Sequence, residues 1–368
     1  MRSVLVHIIS GLRRGGAENL LYNLCRKSPD YEHHVISLTG EDYYSTLLRE
    51  SGVKVYTINI DWRIDKLWAK INKLTKLIIK INPSVVQTWM YHADLLGGYA
   101  ARKAGITNVN WGIHNLYIKL KISNIPTIIV RTLSAMFSRS IPRNIICCSK
   151  PVLDYHKYLG YDCSRLVLIN NGIDTEKFDN YNSKRKTSNV SPVLGMFARY
   201  HMDKDFNNLL DALRILKSNQ IPFKCVLAGD GVCDKNIVLN NSIESRSLSD
   251  DIRLLGYVPE IEKLYRSLDL FILSSRSEAM GLVLAEAMAS GIPCVSTDVG
   301  GTSDILGSTG WVVPVSNPEE LAKVIIEAIN EWKNKQNWSY RQNQCVSRIK
   351  TNFNINAMQS QYKQAWAL

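Results

Sequence analysis

The sequence predicts an α/β protein built from two doubly wound domains, each a parallel sheet between layers of helix. Three observations carry this. Short β-branched runs alternate with longer helical patterns along most of the chain. The runs are apolar throughout, as strands covered on both faces must be. The alternation stops once, at a polar stretch, and then resumes. With 368 residues the chain also suits two domains better than one.

In the first half the expected strands are Val4–Ile9, His34–Leu38, Val53–Ile58, Ser84–Thr88, Val109–Ile113, Ile145–Cys148 and Leu166–Ile169. The segment Asp179–Ser191 is polar and without period, so it reads as a linker. Strands are expected again at Val193–Phe197, Phe223–Ala228, Ile252–Leu255, Leu270–Leu273, Cys294–Thr297 and Trp311–Val313. Helical Pro318–Trp332 and a tail to Leu368 close the chain. The expected division is 1–182, a linker at 183–191, 192–345, and a helical tail 346–368 packing back on the N-terminal domain. Ligands of such sheets bind beyond the carboxyl ends of the strands, which for two domains points to a central cleft.

Composition narrows the class. Apolar residues make up 45% and charged residues 21%, ordinary for a globular protein. No run of 18 apolar residues occurs, so no helix is expected to span a bilayer. The apolar part of Met1–Ile9 is too short for a signal core. Eight cysteines without a C-x-x-C pair read as reduced thiols of a cytoplasmic protein. The net charge of +12 resides in the first half, with 26 Lys+Arg against 14 Asp+Glu in 1–185 and 19 of each after that. Such asymmetry suggests an anionic partner for the first half. Nucleic acid is not favoured, because neither a recognition-helix motif nor an aromatic stacking platform accompanies the charge.

Two loops suit phosphate. After Val4–Ile9 comes Ser10-Gly11-Leu12-Arg13-Arg14-Gly15-Gly16-Ala17-Glu18 and then a helix. Gly15 and Gly16 let backbone approach a ligand, and the helix N-terminus behind them offers free N–H groups. The second loop follows Leu273 and carries Glu278 and Gly281, with a helix from near Gly281 to Gly291-Ile292-Pro293. The amides of Gly281, Leu282 and Val283 are free to grip an anion. Glu278 and Glu286 frame the helix mouth, and carboxylates there suit a polyhydroxylated ligand.

This stretch resembles the E-x7-E motif of retaining GT-B glycosyltransferases, the group called glycosyltransferase family 4, and the resemblance runs along nearly the whole chain. Gly15-Gly16-Ala17-Glu18 resembles the family's glycine loop, and His114 stands where the family has a histidine. Asn171-Gly172-Ile173-Asp174 resembles its N-G-V-D signature. Arg199 and Lys204 resemble its R-x4-K pair, Gly229-Asp230-Gly231 its G-x-G turn, and Gly300-Gly301 its closing glycines. Two positions depart from the pattern: Met280 replaces a usual Phe, and Asp205 replaces a usual Gly.

The resemblance implies two Rossmann-like lobes facing a cleft and transfer of a hexose or N-acetylhexosamine from a nucleoside-diphosphate sugar, UDP by frequency. Arg199 and Lys204 would bind the diphosphate, and loss of one such group should cost roughly 2–4 kcal/mol of barrier. Glu286 would hold the ribose and Glu278 the donor sugar. Gly15, Gly16, Gly229 and the Gly281–Val283 amides would line the donor site. His114 would bond a sugar hydroxyl, and Asn171 would line the cleft or serve a turn. No protein nucleophile, cofactor or metal is expected, since Asp203-Lys204-Asp205 lies inside the R-x4-K loop and not in the context of a metal-binding D-x-D. The acceptor implied is a saccharide, as in O-antigen or capsule assembly on a polyprenyl diphosphate.

A peripheral place on the inner face of the plasma membrane fits that acceptor. In Trp62–Asn82, Ile64, Leu67, Trp68, Ile71, Leu74, Ile78 and Ile81 share one helical face, with Arg63, Lys66, Lys70, Lys73, Lys76 and Lys80 around the rest. Contact with anionic lipid would gain about 1 kcal/mol per basic residue near the surface, although a helix packed on its own sheet explains the same pattern. Tyr117–Arg143 adds further basic residues among apolar ones. The rival readings are a non-catalytic nucleotide-binding scaffold and a nucleotide-sugar epimerase of the same architecture.

Overall fold

The computed structural model describes residues 2–60, 64–117, 125–182 and 191–367, and its chain divides into two compact units. Unit 1 comprises Met1–Gly172 with Ile355–Leu368, and unit 2 comprises Ile173–Asn354. The segment Thr175–Asn182, assigned to the N-terminal domain from sequence, thus belongs to unit 2, where Phe178 packs against Tyr265. The expected linker falls almost wholly outside the described residues.

Unit 1 holds β1 (Val4–Ile9), β2 (Glu32–Ser37), β3 (Lys54–Thr57), β4 (Val85–Trp89), β5 (Val109–Ile113), β6 (Asn144–Cys147) and β7 (Leu166–Leu168). Its helices are α1 (Gly16–Lys27), α2 (Tyr43–Glu50), α3 (Ile64–Ile81), α4 (Gly98–Lys103), α5 (Ile125–Phe137) and α6 (Lys150–Tyr158). Unit 2 holds β8 (Val193–Phe197), β9 (Lys224–Ala228), β10 (Ile252–Leu254), β11 (Leu270–Leu273), β12 (Cys294–Thr297) and β13 (Trp311–Val313). Its helices are α7 (Phe206–Ser218), α8 (Ile237–Glu244), α9 (Ile261–Tyr265), α10 (Leu282–Ala289), α11 (Thr302–Leu306), α12 (Pro318–Lys333) and α13 (Lys335–Asn352). The last helix, α14 (Ile355–Trp366), returns to unit 1.

Both sheets are parallel, in the orders β3-β2-β1-β4-β5-β6-β7 and β10-β9-β8-β11-β12-β13. Strand order reverses between β1 and β4 in the first and between β8 and β11 in the second. Right-handed crossovers therefore send helices to opposite faces on either side of each reversal. In unit 1, α1 packs with α2 and α14, while α3 packs on α4 in the other layer. α5 and α6 join that second layer, where Arg131 of α5 donates to the Tyr155 hydroxyl of α6. The apolar side of α14 closes the first layer's core through Ile355, Met358, Tyr362 and Trp366, all buried with Leu21, Leu24 and Trp89. In unit 2 one core lies under α7 and α12 and the other under α10 and α13. The reversals matter for function, because a crevice opens outside the carboxyl ends of the two strands that flank each one.

Candidate functional site

In unit 2 the flanking strands are β8 and β11, and the loops after them carry Arg199, Lys204 and Glu278. Arg199 is exposed just past the end of β8. Its backbone is pressed by Gly229, where an added Cβ would lie 2.1 Å from the Ala198 carbonyl oxygen, so only glycine fits. The Tyr200 amide donates to the Asp230 carbonyl at 2.7 Å, fastening this loop to the G-x-G turn. A short 3₁₀ turn at Met202–Lys204 then delivers Lys204, whose Nζ lies 2.5 Å from Glu278 Oε1.

Asp205 explains one departure from the family pattern. Its backbone is left-handed, with φ 47° and ψ 55°, a conformation that glycine adopts freely and Asp tolerates better than most residues. The buried Asp205 carboxylate accepts from Arg276 Nε at 2.5 Å and from Ser316 Oγ at 3.0 Å, which holds the turn in place of glycine's freedom. The Ser274 hydroxyl lies 3.1 Å from the Lys204 carbonyl and 3.0 Å from that of Asp205, so the two loops are bonded to each other.

Glu278 is fixed from three sides. Ser275 Oγ donates to its Oε1 at 2.7 Å, and Lys204 meets the same oxygen. Behind its backbone stands Gly300, at φ 54°, where a Cβ would come within 2.0 Å of the Glu278 carbonyl oxygen. Gly281 is the N-cap of α10 with φ 85°, and no side chain caps the helix. The first turn of α10 contains no acidic residue, so its positive end is not neutralised locally.

Glu286 sits one turn into α10 and is half-buried. Burial pushes its carboxyl up to about 7, opposed by the hydrogen bond from Tyr265 and the charge of Lys177, while Glu262 raises it further. The Tyr265 hydroxyl lies 3.0 Å from Glu286 Oε2 and 3.2 Å from the Val283 carbonyl. A separate groove, lined in part by Val193, Trp332 and Trp338, opens at the amino ends of β8 and β11, the end of the sheet opposite these loops.

In unit 1 the flanking strands are β1 and β4. Gly15, in extended backbone, is the N-cap of α1, also without a side-chain cap. A Cβ at Gly15 would lie 2.3 Å from the Glu18 carboxylate, whereas at Gly16 it would meet nothing within 4 Å. β4 is followed by Met90, a non-glycine residue at φ 71°, and strain of this kind concentrates at functional positions. His114 follows β5 and stacks on Trp89, with centroids 5.1 Å apart. Both its ring nitrogens are buried and make no hydrogen bond among the described residues. Burial lowers its pKa to about 4, so the ring is neutral at physiological pH. Asn171 is buried at the end of unit 1, and its side-chain oxygen makes no hydrogen bond among the described residues.

Several supporting residues escaped the sequence reading. Tyr265 and Ser275 touch the two glutamates; Ser275 lies in the loop that carries Glu278 but was given no role, and Tyr265 lies in a segment with no motif of its own. Asp94 is buried in a π-helical turn, Ala93–Gly97, and accepts from the Thr88 hydroxyl at 2.5 Å and the Gly112 amide at 3.3 Å. It therefore ties the ends of β4 and β5 together just before His114. An acid inside the apolar run Ala93–Gly97 was the available signal. His7, Cys25 and His33 also cluster in the core of unit 1 with ligand-type atoms within 4.8 Å. The histidine nitrogens are already used: Trp89 Nε1 donates to His7 Nδ1, His7 Nε2 to His33 Nδ1, and His33 Nε2 to the Ser28 carbonyl.

The basic helix α3 behaves as a packed helix. Ile71, Leu74 and Ile78 are buried, and Trp68, expected on the same apolar face, is exposed. Arg63 and the side chain of Lys66 lie outside the described residues. Lys73 is exposed, and Lys70 donates to the Ile58 carbonyl.

Comparison with known proteins identifies the kind of chain this is. A model described as Glycosyltransferase Family 4 matches residues 14–177, and one described as Glycosyl transferases group 1 matches residues 176–344. EpsF of Bacillus subtilis is 28% identical over 327 residues, covering 80% of this chain and 79% of EpsF. An Escherichia coli protein named UDP-Gal:alpha-D-GlcNAc-diphosphoundecaprenol alpha-1,3-galactosyltransferase is 23% identical over 85% of this chain and 82% of its own length. The structure of Anabaena HepE, solved with UDP and glucose, matches over 99% of both chains with a TM-score of 0.83 at 20% identity, a likeness of fold.

Proposed function

Since the chain belongs to the family 4 type of GT-B glycosyltransferases, we propose that it moves a hexose or N-acetylhexosamine, with retention of configuration, from a nucleoside-diphosphate sugar to a lipid-linked saccharide. UDP is the favoured carrier, and surface polysaccharide assembly in the cytoplasm, at the inner face of the plasma membrane, is the setting. The names of two relatives support the kind of donor and acceptor: one uses UDP-Gal on a diphosphoundecaprenol-linked sugar, and another was solved with UDP and glucose.

The observation that carries the reading is the contact of Lys204 with Glu278 beside the uncapped start of α10. A departing diphosphate accumulates negative charge, and Lys204, Arg199 and the Gly281–Val283 amides stabilise it most where it is greatest. Lys204 leaves Glu278 for phosphate, and Glu278 is then free to accept hydroxyls of the donor sugar. Glu286 accepts the ribose hydroxyls. Gly15, Gly16 and Gly229 leave room for the donor, and neutral His114 bonds a sugar hydroxyl without repelling or capturing charge. Asn171 lines the acceptor side. The acceptor hydroxyl attacks on the face the leaving group quits, and its proton passes to the departing phosphate oxygen.

The test is to mix the purified chain with UDP-sugars and polyprenyl-diphosphate-linked saccharides, follow UDP release, and assign the new linkage by NMR. An α-linked product from an α-configured donor is expected. Lys204→Ala should lower turnover roughly 30- to 1,000-fold, the equivalent of about 2–4 kcal/mol. Donor epimerised without acceptor would replace the reading with an epimerase, and donor binding without turnover on any acceptor would replace it with a scaffold.

A further inference from the structure

α5 is turned inside out for a helix of a globular domain. Ile125, Ile129, Leu133, Met136 and Phe137 recur every three or four residues, which places them on one stripe along its whole length. All five are exposed, between 36% and 68%, while the small polar residues Ser134 and Ser138 are buried. The helix turns its apolar side outward. Contiguous exposed apolar surface of this kind marks an interaction site.

The charge around the stripe selects the partner. From Ile64 to Lys157, the span that supplies α3 to α6, the sequence holds 14 Lys+Arg against three Asp+Glu. Of the three acids, Asp94 is buried and Asp154 is paired with Lys150. Lys73, Lys76, Lys80, Arg139 and Arg143 are exposed on or beside this layer. Trp68 and Tyr99 of the same layer are also exposed, in edge-to-face contact at 6.2 Å. Apolar stripe, interfacial aromatics and a one-signed cationic surround are together what a bilayer surface with anionic headgroups binds. A second copy of the chain would bring the same positive charge to the same place.

We propose that α5 lies in the headgroup–acyl boundary of an anionic bilayer, with the basic side chains of the α3–α6 layer reaching lipid phosphates. This deepens the lipid-linked acceptor reading and rests on it only for its biological purpose. It also moves the membrane contact expected of α3 to α5, with α3 contributing charge.

The experiment is flotation of the full chain with vesicles of phosphatidylcholine, with and without phosphatidylglycerol, in the absence of donor and acceptor. Binding to the phosphatidylglycerol vesicles is expected, weakened by high salt. The Ile129→Glu/Met136→Glu double variant should lose roughly tenfold or more in partitioning, with unchanged circular dichroism and UDP binding. In Ile129→Trp, the tryptophan emission should shift to the blue on the anionic vesicles. Equal binding by the double variant, equal binding to uncharged vesicles, or a wild-type dimer that ignores vesicles and that the double variant dissociates would each overturn the proposal. None of these readouts uses glycosyl transfer, so failure here leaves the proposed reaction standing.

Discussion

Glu286 is a half-buried carboxylate, and the hydrogen bond from its neighbour Tyr265 favours its ionised form. In the proposed reaction the ionised form is the one that accepts two ribose hydroxyls. Since burial holds the pKa near 7, UDP affinity should rise as pH increases from 6 to 8. Tyr265→Phe removes the hydrogen bond that favours the charged form. The midpoint should then move upward and affinity near neutral pH should fall roughly three- to tenfold, recovering in more alkaline buffer. Calorimetric titration of UDP across pH, with Glu286→Gln as the pH-independent control, checks this. An unshifted midpoint would reduce Tyr265 to a packing residue. At this scale the sequence singled out Glu278, Glu286, Arg199 and Lys204 as candidates, because motif spacing survives without tertiary context. It hid Tyr265, which meets Glu286 only after α9 and α10 have packed. It also hid the meaning of Asp205, a departure in spelling that keeps the same backbone angle.

At the scale of elements, the strands were legible because two-sided burial leaves an unbroken apolar run, as in Val4–Ile9, and each expected run overlaps a strand whose ends lie within two residues of it. Helix exposure was not legible. α3 and α5 are both amphipathic in sequence, yet α3 buries Ile71, Leu74 and Ile78 of its apolar face and α5 displays its own. Periodicity shows that a face exists and says nothing of what covers it. The glycine loops divide in the same way. Gly300→Ala places a Cβ against the Glu278 carbonyl in a left-handed backbone, so stability should fall by roughly 1–3 kcal/mol and turnover should fall with it. Gly16→Ala meets open space, so the melting temperature should hold, and any loss of donor affinity reports on the ligand approach itself. Thermal melts of the two variants beside UDP titrations separate these outcomes.

For the whole molecule, the response to acid is concentrated in the buried histidines of unit 1. In unit 1 burial lowers the pKa of His7, His33, His92, His114 and His156, the last two to about 4. The unfolded chain takes up those protons first, so this stabilisation is complete above about pH 6.5 and is lost as pH falls toward 4, by about 1.4 kcal/mol per pH unit for each fully affected histidine. In unit 2 Glu286 is raised, so its contribution is present at low pH and is lost as pH rises through about 7. Hydrogen exchange at pH 7.5 and pH 5 should show unit 1 opening first in acid, and uniform protection in both units would contradict this. The division into two was legible from the interrupted strand pattern, but the crossing points were not, since Gly172 and Asn354 carry no composition change. Because α14 belongs to unit 1 and follows all of unit 2 in the chain, the ribosome must finish the inserted unit before the first one can seal its interior. The N-terminal half, although made first, waits with Leu21, Leu24 and Trp89 uncovered until Tyr362 and Trp366 arrive, and damage to this late-made helix is felt at the opposite end of the polypeptide.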